Sequence, residues 1–307
     1  MSCRCSSSSP VITLRFGENS YKNCLHIPHG QASPPLPLIA ITANKPQTTR
    51  NTIRGIYTSD NGDDKTQLIF LDTPGIHKGK NKLGKSMTEA AIRTFSEVDI
   101  LLFLVDSRID KGPGDMNILN MLKEVNTPKI LVINKIDLMK PEDLAETFSA
   151  YEDMGIFEKV IGISAKEGAG VTELLNSIEG LAKTGPIYFP EDMITDHPEK
   201  FIVSEIIREK ALEFLDEEVP HGVAVEIESY KELEKLTRIS AVIYCEKKSH
   251  KGIIIGKQGR KLKGIGKSAR EDIEALVGTK VFLQLWVKVK ENWRDSDFML
   301  SNFGYKD

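Results

Sequence analysis

From residue 38 onward, apolar positions fall into short runs separated by amphipathic stretches. Runs at 38–42, 66–71, 100–105, 130–133 and 160–164 read as strands, with 51–58 a further strand or extended loop. Helical periodicity at 87–95, 116–125, 144–154 and 171–182 alternates with them. Continuous apolar strands alternating with helices argue an α/β domain built on a parallel sheet covered on both faces. In such a sheet, ligand groups sit in the loops at the C-terminal ends of the strands.

The pattern breaks at Gly185-Pro186 and Phe189-Pro190-Glu191-Asp192, so residues 185–200 read as a linker between a first domain over 38–184 and a second over 201–307. The second runs helix (202–215), strand (223–229), strand (239–245), then helices on either side of 256–259, then strand (280–289). Trp286 lies in that last alternating strand and is expected in the core. Residues 1–37 are unlike the rest. They hold four consecutive serines, Ser6 to Ser9, a cluster of Pro34, Pro35 and Pro37, and a single acid, Glu18. Disorder is expected there. A Ser-rich, acid-poor start also suits an organellar transit peptide, but it is poor in Arg and shows no amphipathic helix.

Composition adds bounds. A chain of 307 residues with 40% hydrophobic and 28% charged residues suits a soluble globular protein of about two domains. No apolar run reaches the ~18 residues of a membrane span. The net charge of −3 hides an asymmetry: Lys247 to Arg270 holds nine Lys or Arg and no acid, which marks one anion-binding face. The four cysteines make no disulfide framework, and Cys3, Cys5 and Cys24 lack CxxC pairing for a metal site. A reducing, intracellular setting is expected.

Candidate chemistry is concentrated after three strands. Asn134-Lys135-Ile136-Asp137 follows the run 129–133. A carboxylate at Asp137 can accept two parallel hydrogen bonds from the N1 and N2 donors of guanine, a pair that adenine lacks. Asp72-Thr73-Pro74-Gly75 ends the strand at 66–71. Asp72 can hold the water shell of Mg²⁺, and the Gly75 amide can approach a γ-phosphate without a side-chain clash. Ser164-Ala165-Lys166 follows the strand at 160–164, where a backbone amide can reach guanine O6. Upstream, in Lys45-Pro46-Gln47-Thr48-Thr49-Arg50, a Thr hydroxyl can complete the Mg²⁺ shell, and Thr49 is favoured over Thr48.

These strings, with the FPEDMITDHPEKF stretch at 189–201 and the basic region beyond it, resemble the Era family of GTPases over about residues 38–307. The resemblance implies GTP or GDP with Mg²⁺ as cofactors. It implies GTP hydrolysis coupled to binding of small-subunit ribosomal RNA and to assembly of the small ribosomal subunit. It also implies a cytoplasmic location with peripheral association at the inner face of the membrane. Ile76 follows DTPG where many GTPases carry a water-positioning Gln, which implies slow turnover. No residue is assigned to catalysis.

One element of the family pattern is missing. A GxxxxGK[ST] loop should precede KPQTTR, between the first strand and first helix, and residues 1–37 contain no such string. The P-loop strand and helix are therefore expected to be absent, leaving an incomplete P-loop GTPase-like sheet with impaired hydrolysis. A literal match at Gly79-Lys80-Asn81-Lys82-Leu83-Gly84-Lys85-Ser86 is read as a decoy, because a phosphate loop must leave its strand directly. The alternative function is a nucleotide-independent KH-type RNA-binding protein with a degenerate GTPase domain.

In the second domain the apolar run 253–255 leads into Gly256-Lys257-Gln258-Gly259 and a basic stretch holding Arg260, Lys261, Lys263 and Lys267. Two glycines let a nucleic-acid backbone approach, and the helix start after them favours phosphate. With helix-strand-strand-helix-helix-strand order, this predicts an α+β type II KH domain.

Overall fold

The computed structural model describes residues 11–16, 48–61, 64–76, 79–105, 113–183, 185–216 and 219–306. The chain divides into two units. The first comprises Met1–Ile39, Thr49–Lys78 and Met87–Asp196; the second comprises Ala40–Thr48, Gly79–Ser86 and His197–Asp307.

The first unit is built on a six-stranded sheet. Its strands are β1 (Val11–Phe16), β2 (Ile53–Asn61), β3 (Asp64–Asp72), β4 (Ile100–Val105), β5 (Lys129–Asn134) and β6 (Lys159–Ile163), in the order β2-β3-β1-β4-β5-β6. All neighbours are parallel except β2, which runs antiparallel to β3. The helices are α1 (Lys82–Arg93), of which Met87–Arg93 counts with this unit, α2 (Pro113–Lys123), α3 (Pro141–Glu152) and α4 (Val171–Leu181). The strand residues alternate between two cores, as a sheet buried on both faces requires. Leu101, Phe103, Val105, Leu131 and Ile133 pack with Ala91 of α1, Ile118 and Leu122 of α2 and Tyr151 of α3. Leu102, Leu104, Ile130, Val132 and Ile161 pack with Leu174 and Ile178 of α4.

Two expectations for this unit are corrected. The strand expected to be absent is present: Val11–Phe16, placed by the sequence in the atypical segment, forms β1 at the centre of the sheet. It pairs with β3 from Val11↔Ile69 to Leu14↔Asp72 and with β4 from Ile12↔Ile100 to Phe16↔Leu104. The segment VITLRF is rich in β-branched and aromatic residues, the composition that suits a strand. The position of a helix after it, the apolar run at 38–42 and Lys45, Pro46 and Gln47 lie outside the described residues, as do Cys3, Cys5 and Cys24.

The second correction concerns the linker. Residues 185–196 belong with the first unit. Gln67, fully buried in β3, accepts from the Tyr188 and Phe189 amides at 3.1 and 3.0 Å and donates to the Phe189 carbonyl at 2.9 Å. The Ile56 amide donates to the Ile194 carbonyl at 2.8 Å, and the Thr195 hydroxyl donates to the Arg54 carbonyl at 2.6 Å. The segment thus satisfies backbone groups on the outer edge of β2, which would otherwise stay unpaired.

The second unit contains α5 (Glu199–Phe214), β7 (Ala224–Leu233), β8 (Leu236–Cys245), α6 (Lys248–Ile255), α7 (Arg260–Val277), β9 (Lys280–Val289) and α8 (Asp297–Asn302). The three strands form one sheet in the order β7-β8-β9, with β7 and β8 antiparallel and β8 and β9 parallel. This is the predicted helix-strand-strand-helix-helix-strand order. Helices α5, α6 and α7 cover one face through Ile202, Val203, Ile207, Ile254, Ile265, Ala269 and Ile273. Trp286 is not in that core; it is 57% exposed. One parity of β9 is apolar throughout, from Val281 to Val289, while Trp286 falls on the parity of Lys280, Gln284 and Lys288, so the alternation itself points Trp286 outward. The structure turns Val281 and Val287 inward and Trp286 outward. The tail crosses the other face at one end, where Phe303 packs on Tyr244 with ring centroids 5.1 Å apart.

Candidate guanine site and nucleic-acid corner

The turns after β3, β5 and β6 all lie at the C-terminal ends of parallel strands, where the sequence places the ligand groups. Asn134 is the last residue of β5 and pairs in register with Ile163, the last of β6. Its side chain is buried. Its Oδ1 accepts from the Lys135 amide at 2.8 Å and from the Ala165 amide at 3.1 Å. One carboxamide therefore fixes the NKID turn to the SAK turn. Lys135 adopts left-handed backbone angles (φ 64°, ψ 35°), which swing the chain into a short 3₁₀ turn, Ile136–Leu138, and leave Asp137 exposed. A non-glycine residue in this region costs about 1 kcal/mol or more, and such costs gather at binding sites.

The SAK turn is closed by its own backbone. The Ser164 amide donates to the Ala169 carbonyl at 2.9 Å, the Gly168 amide donates to the Ser164 carbonyl at 2.8 Å, and the Ser164 hydroxyl accepts from the Glu167 amide at 3.3 Å. Ser164 and Ala165 are buried; Lys166 is exposed. The Lys166 ammonium is held above its ordinary pKa, first by its hydrogen bond to Glu167, then by that carboxylate's charge, with a further contribution from Asp137. The exposed carboxylate of Asp137 is thus within electrostatic reach of Lys166 in the SAK turn.

Asp72 and Thr73 are buried at the end of β3, followed by Pro74 and the half-buried Gly75. The Thr49 hydroxyl donates to Asp72 Oδ2 at 3.1 Å, so the two metal candidates are adjacent. Among the described residues no group of three or more His, Cys, Asp or Glu is placed to hold a metal. One carboxylate and one hydroxyl suit Mg²⁺, which keeps several waters and takes its other ligands from substrate phosphates.

The phosphate end fits less well. β1 ends at Phe16, beside β3 and β4, where a phosphate loop would leave the sheet. The residues after it, Gly17-Glu18-Asn19-Ser20-Tyr21-Lys22-Asn23, carry no GxxxxGK[ST]. The literal match at Gly79 to Ser86 is instead the start of α1. Asn81 caps that helix: its Oδ1 accepts from the Gly84 amide at 2.8 Å and its carbonyl from the Lys85 amide at 3.1 Å. The Ser86 hydroxyl donates to the Tyr305 carbonyl at 2.9 Å. Gly79 and Gly84 approach so closely that a Cβ on Gly79 would lie 2.5 Å from the Gly84 carbonyl carbon. Amides that a phosphate loop would aim at an anion are already used.

In the second unit, α6 stops at Gly256 (φ 70°, ψ 175°), and Gly259 (φ 73°, ψ 12°) precedes α7. Gln258 between them is also left-handed, at φ 54°. The α7 N-terminus receives no side-chain cap. Lys257, Gln258, Arg260, Lys263 and Lys267 are exposed, while Lys261 is half-buried with its Cβ under Gly256. The corner therefore brings together two glycines, a helix start and a cationic face.

A buried ion pair went unseen in the sequence. Arg208 of α5 is fully buried; its Nε donates to Glu205 Oε1 at 2.9 Å, and Nη2 donates to Glu205 Oε2 and to the Thr48 carbonyl, all within the second unit. Burial opposes the arginine's charge, and Glu205 more than offsets it, so its pKa rises. Its only sequence signal is a Glu and an Arg three apart on a helix otherwise rich in Ile and Val.

Two family models match the chain. A family described as "50S ribosome-binding GTPase" matches residues 37–135, and the KH domain family matches residues 218–294. GTPase Era of Alkaliphilus oremlandii is 57% identical over 269 residues, covering 87% of this chain and 90% of its own length. The chain belongs to the Era family of GTPases. GTPase Era of Clostridioides difficile is 54% identical over 272 residues, 88% of this chain and 90% of that one. Among solved structures, a single-site variant of Aquifex aeolicus Era bound to GDP.AlF4- matches with a TM-score of 0.89 at 35% identity, over 98% of this chain and all of that one. An Era complex with MgGDPNP and nucleotides 1506-1542 of 16S ribosomal RNA matches with a TM-score of 0.88 at 35% identity, over 99% and 100%. The GTPase family match begins at residue 37, one residue before the regular apolar pattern begins.

Proposed function

We propose that this Era-family chain binds small-subunit ribosomal RNA through the Gly256–Gly259 corner and assists assembly of the small ribosomal subunit. Guanine nucleotide and Mg²⁺ act at the first unit, with binding and hydrolysis weakened by the lack of a phosphate loop. The observation that carries the reading is the corner itself: left-handed Gly256 and Gly259 before an uncapped helix start, flanked by exposed lysines. A phosphate backbone can close on those amides, and the lysines supply counterion release. The Era complex with a 16S ribosomal RNA fragment supports the choice of RNA.

Asn134, Lys135, Asp137, Ser164, Ala165 and Lys166 would hold the base; Asp72, Thr73, Pro74 and Gly75 would lie toward the phosphates, with Thr49 and Asp72 at Mg²⁺. The metal, when bound, supplies charge neutralisation at the phosphates. The setting proposed is the cytoplasm. Any membrane association is peripheral, since no described helix is long and apolar enough to cross a membrane.

Gly259→Asp tests the reading cleanly. A Cβ at Gly259 meets nothing within 4 Å, whereas one at Gly256 would lie 2.7 Å from Lys261 Cβ. The single Gly259 variant therefore adds a negative charge with only backbone strain. Its affinity for single-stranded ribosomal RNA should fall at least about tenfold while its circular dichroism is unchanged. Undiminished RNA affinity in the folded variant removes the KH corner from the function. The second reading, nucleotide-independent RNA binding, is favoured by the sequence after β1; it predicts identical RNA affinity with and without GTP.

A further inference from the structure

The outward face of the β7-β8-β9 sheet carries a surface that the glycine corner does not use. Helices α6 and α7 cover the inner face. Phe282 and Trp286 stand on the other, 50% and 57% exposed. They are four residues apart on β9, an edge strand, and therefore about 13 Å apart at the usual rise per residue. Both rings stand on the same face of one strand, with Gln284 between them. The tail closes the neighbouring end of the face: Phe303 lies on Tyr244, and the Asn302 amide donates to Glu226 Oε1 at 3.3 Å. What remains open is a bounded platform.

Its rim is cationic along β9, while β7 brings Glu226, level with Trp286 across Val242, and Glu228. β9 holds Lys280 and Lys288, is followed by Lys290, and has no acid. Exposed Arg238 lies opposite Phe282 in the register. Lys280 meets Glu274 at 3.3 Å and Lys288 meets Glu228 at 2.7 Å, but both lysine side chains are more than half exposed. Surface pairs of this kind are weak enough to be exchanged for phosphate. Aromatic rings flanked by exchangeable cations are the ingredients of a single-strand stacking site, in which every base offers a π-face and the backbone meets Lys or Arg.

We propose that Phe282 and Trp286, with Lys280, Arg238 and Lys288, form a second contact surface for single-stranded RNA, on which two unpaired bases stack. The proposal rests on the RNA-binding reading of this unit but concerns the opposite face of the sheet from the glycine corner. An RNA strand engaged at the corner would continue around the β9 edge onto it.

The chain provides its own probe. It has two tryptophans: Trp293 is buried with its Nε1 donating to the Gly222 carbonyl at 2.9 Å, so Trp286 is the indole open to an aqueous quencher. The full chain is titrated with an unstructured pyrimidine-rich RNA while acrylamide quenching of tryptophan emission is followed. Bound RNA should shield Trp286 from acrylamide. Trp286→Ala and Phe282→Ala should each weaken RNA binding about tenfold, and Trp286→Phe should recover most of the loss, since stacking needs a ring and not an indole. If RNA binds with full affinity to both alanine variants and Trp286 stays open to acrylamide, the platform is wrong while the corner reading stands. If the chain binds no RNA, both fall together. If Trp286 becomes shielded without RNA as protein concentration rises, and Trp286→Ala abolishes self-association, the face joins copies of the chain and the proposal is overturned.

Discussion

The Thr49 hydroxyl donates to Oδ2 of Asp72 at 3.1 Å, so two residues drawn from segments 23 positions apart already hold one another where a magnesium ion would sit. A cation held there would meet the Asp72 carboxylate, directly or through its water shell, with the Thr49 hydroxyl already beside it. Asp72→Asn separates the two roles: the amide oxygen still accepts from Thr49, but the negative charge is gone. Binding of a fluorescent GDP analogue should lose its Mg²⁺ dependence in Asp72→Asn while the unfolding midpoint stays close to that of the parent. Retained Mg²⁺ dependence would move the metal elsewhere.

Asn134 and Asp137 should fail in different ways. Asn134→Ala leaves the buried Ala165 amide without its acceptor, a loss of about 1–3 kcal/mol in stability. Asp137 is exposed, so Asp137→Asn should leave stability unchanged and shift base preference from guanine toward xanthine. Denaturant unfolding measures the first effect, and nucleotide competition the second. A stable Asn134→Ala protein, or unchanged base preference in Asp137→Asn, would contradict the assigned roles.

Lys85→Ala and Ser86→Ala test the decoy. The Lys85 amide is already bonded to Asn81, and the Ser86 hydroxyl to Tyr305. Nucleotide affinity, by isothermal titration, should not change in either variant. Ser86→Ala should cost about 1 kcal/mol of stability through the lost hydrogen bond. Loss of GTP binding in Lys85→Ala would show instead that the segment 79–86 handles phosphate.

Glu205→Ala leaves the Arg208 guanidinium buried without its carboxylate partner. Removing one member of such a pair typically costs about 3–5 kcal/mol. The second unit should unfold at markedly lower denaturant concentration in Glu205→Ala, and less so in Glu205→Gln, which still accepts a hydrogen bond. Equal, small effects would mean that water reaches the arginine.

Much of this was legible in the sequence because strand ends announce themselves. The unbroken apolar runs of β4 and β5 show where a two-sided sheet lies, and the polar strings after β3, β5 and β6 show which edge is functional. Other features left little trace. β1 was hidden because six residues with strand-like composition sit inside a Ser- and Pro-rich segment, and nothing local says that β3 and β4 leave a gap for them. Trp286 was misplaced because its size was weighed above its parity: Val281, Leu283, Leu285, Val287 and Val289 form the all-apolar inward face of β9, and Trp286 shares the other face with Lys280, Gln284 and Lys288. Gln67 reads as an ordinary strand residue until Tyr188 and Phe189 are brought to it from more than a hundred positions away. Arg208 looks like part of a solvated helix until Glu205 and Thr48 enclose it.

The central position of β1 also defines an acceptor site for protein engineering. Leu14 is level with Asp72, and Phe16 is level with the penultimate residue of β4. A grafted segment beginning at residue 17 would therefore emerge on the same edge of the sheet as Asp72, one strand spacing of about 4.8 Å from β3. A graft in place of residues 79–86 would not, because that stretch opens a helix and carries its own cap. Giving this protein a phosphate loop is thus a local operation on the segment after Phe16, and the other five strands can stay as they are.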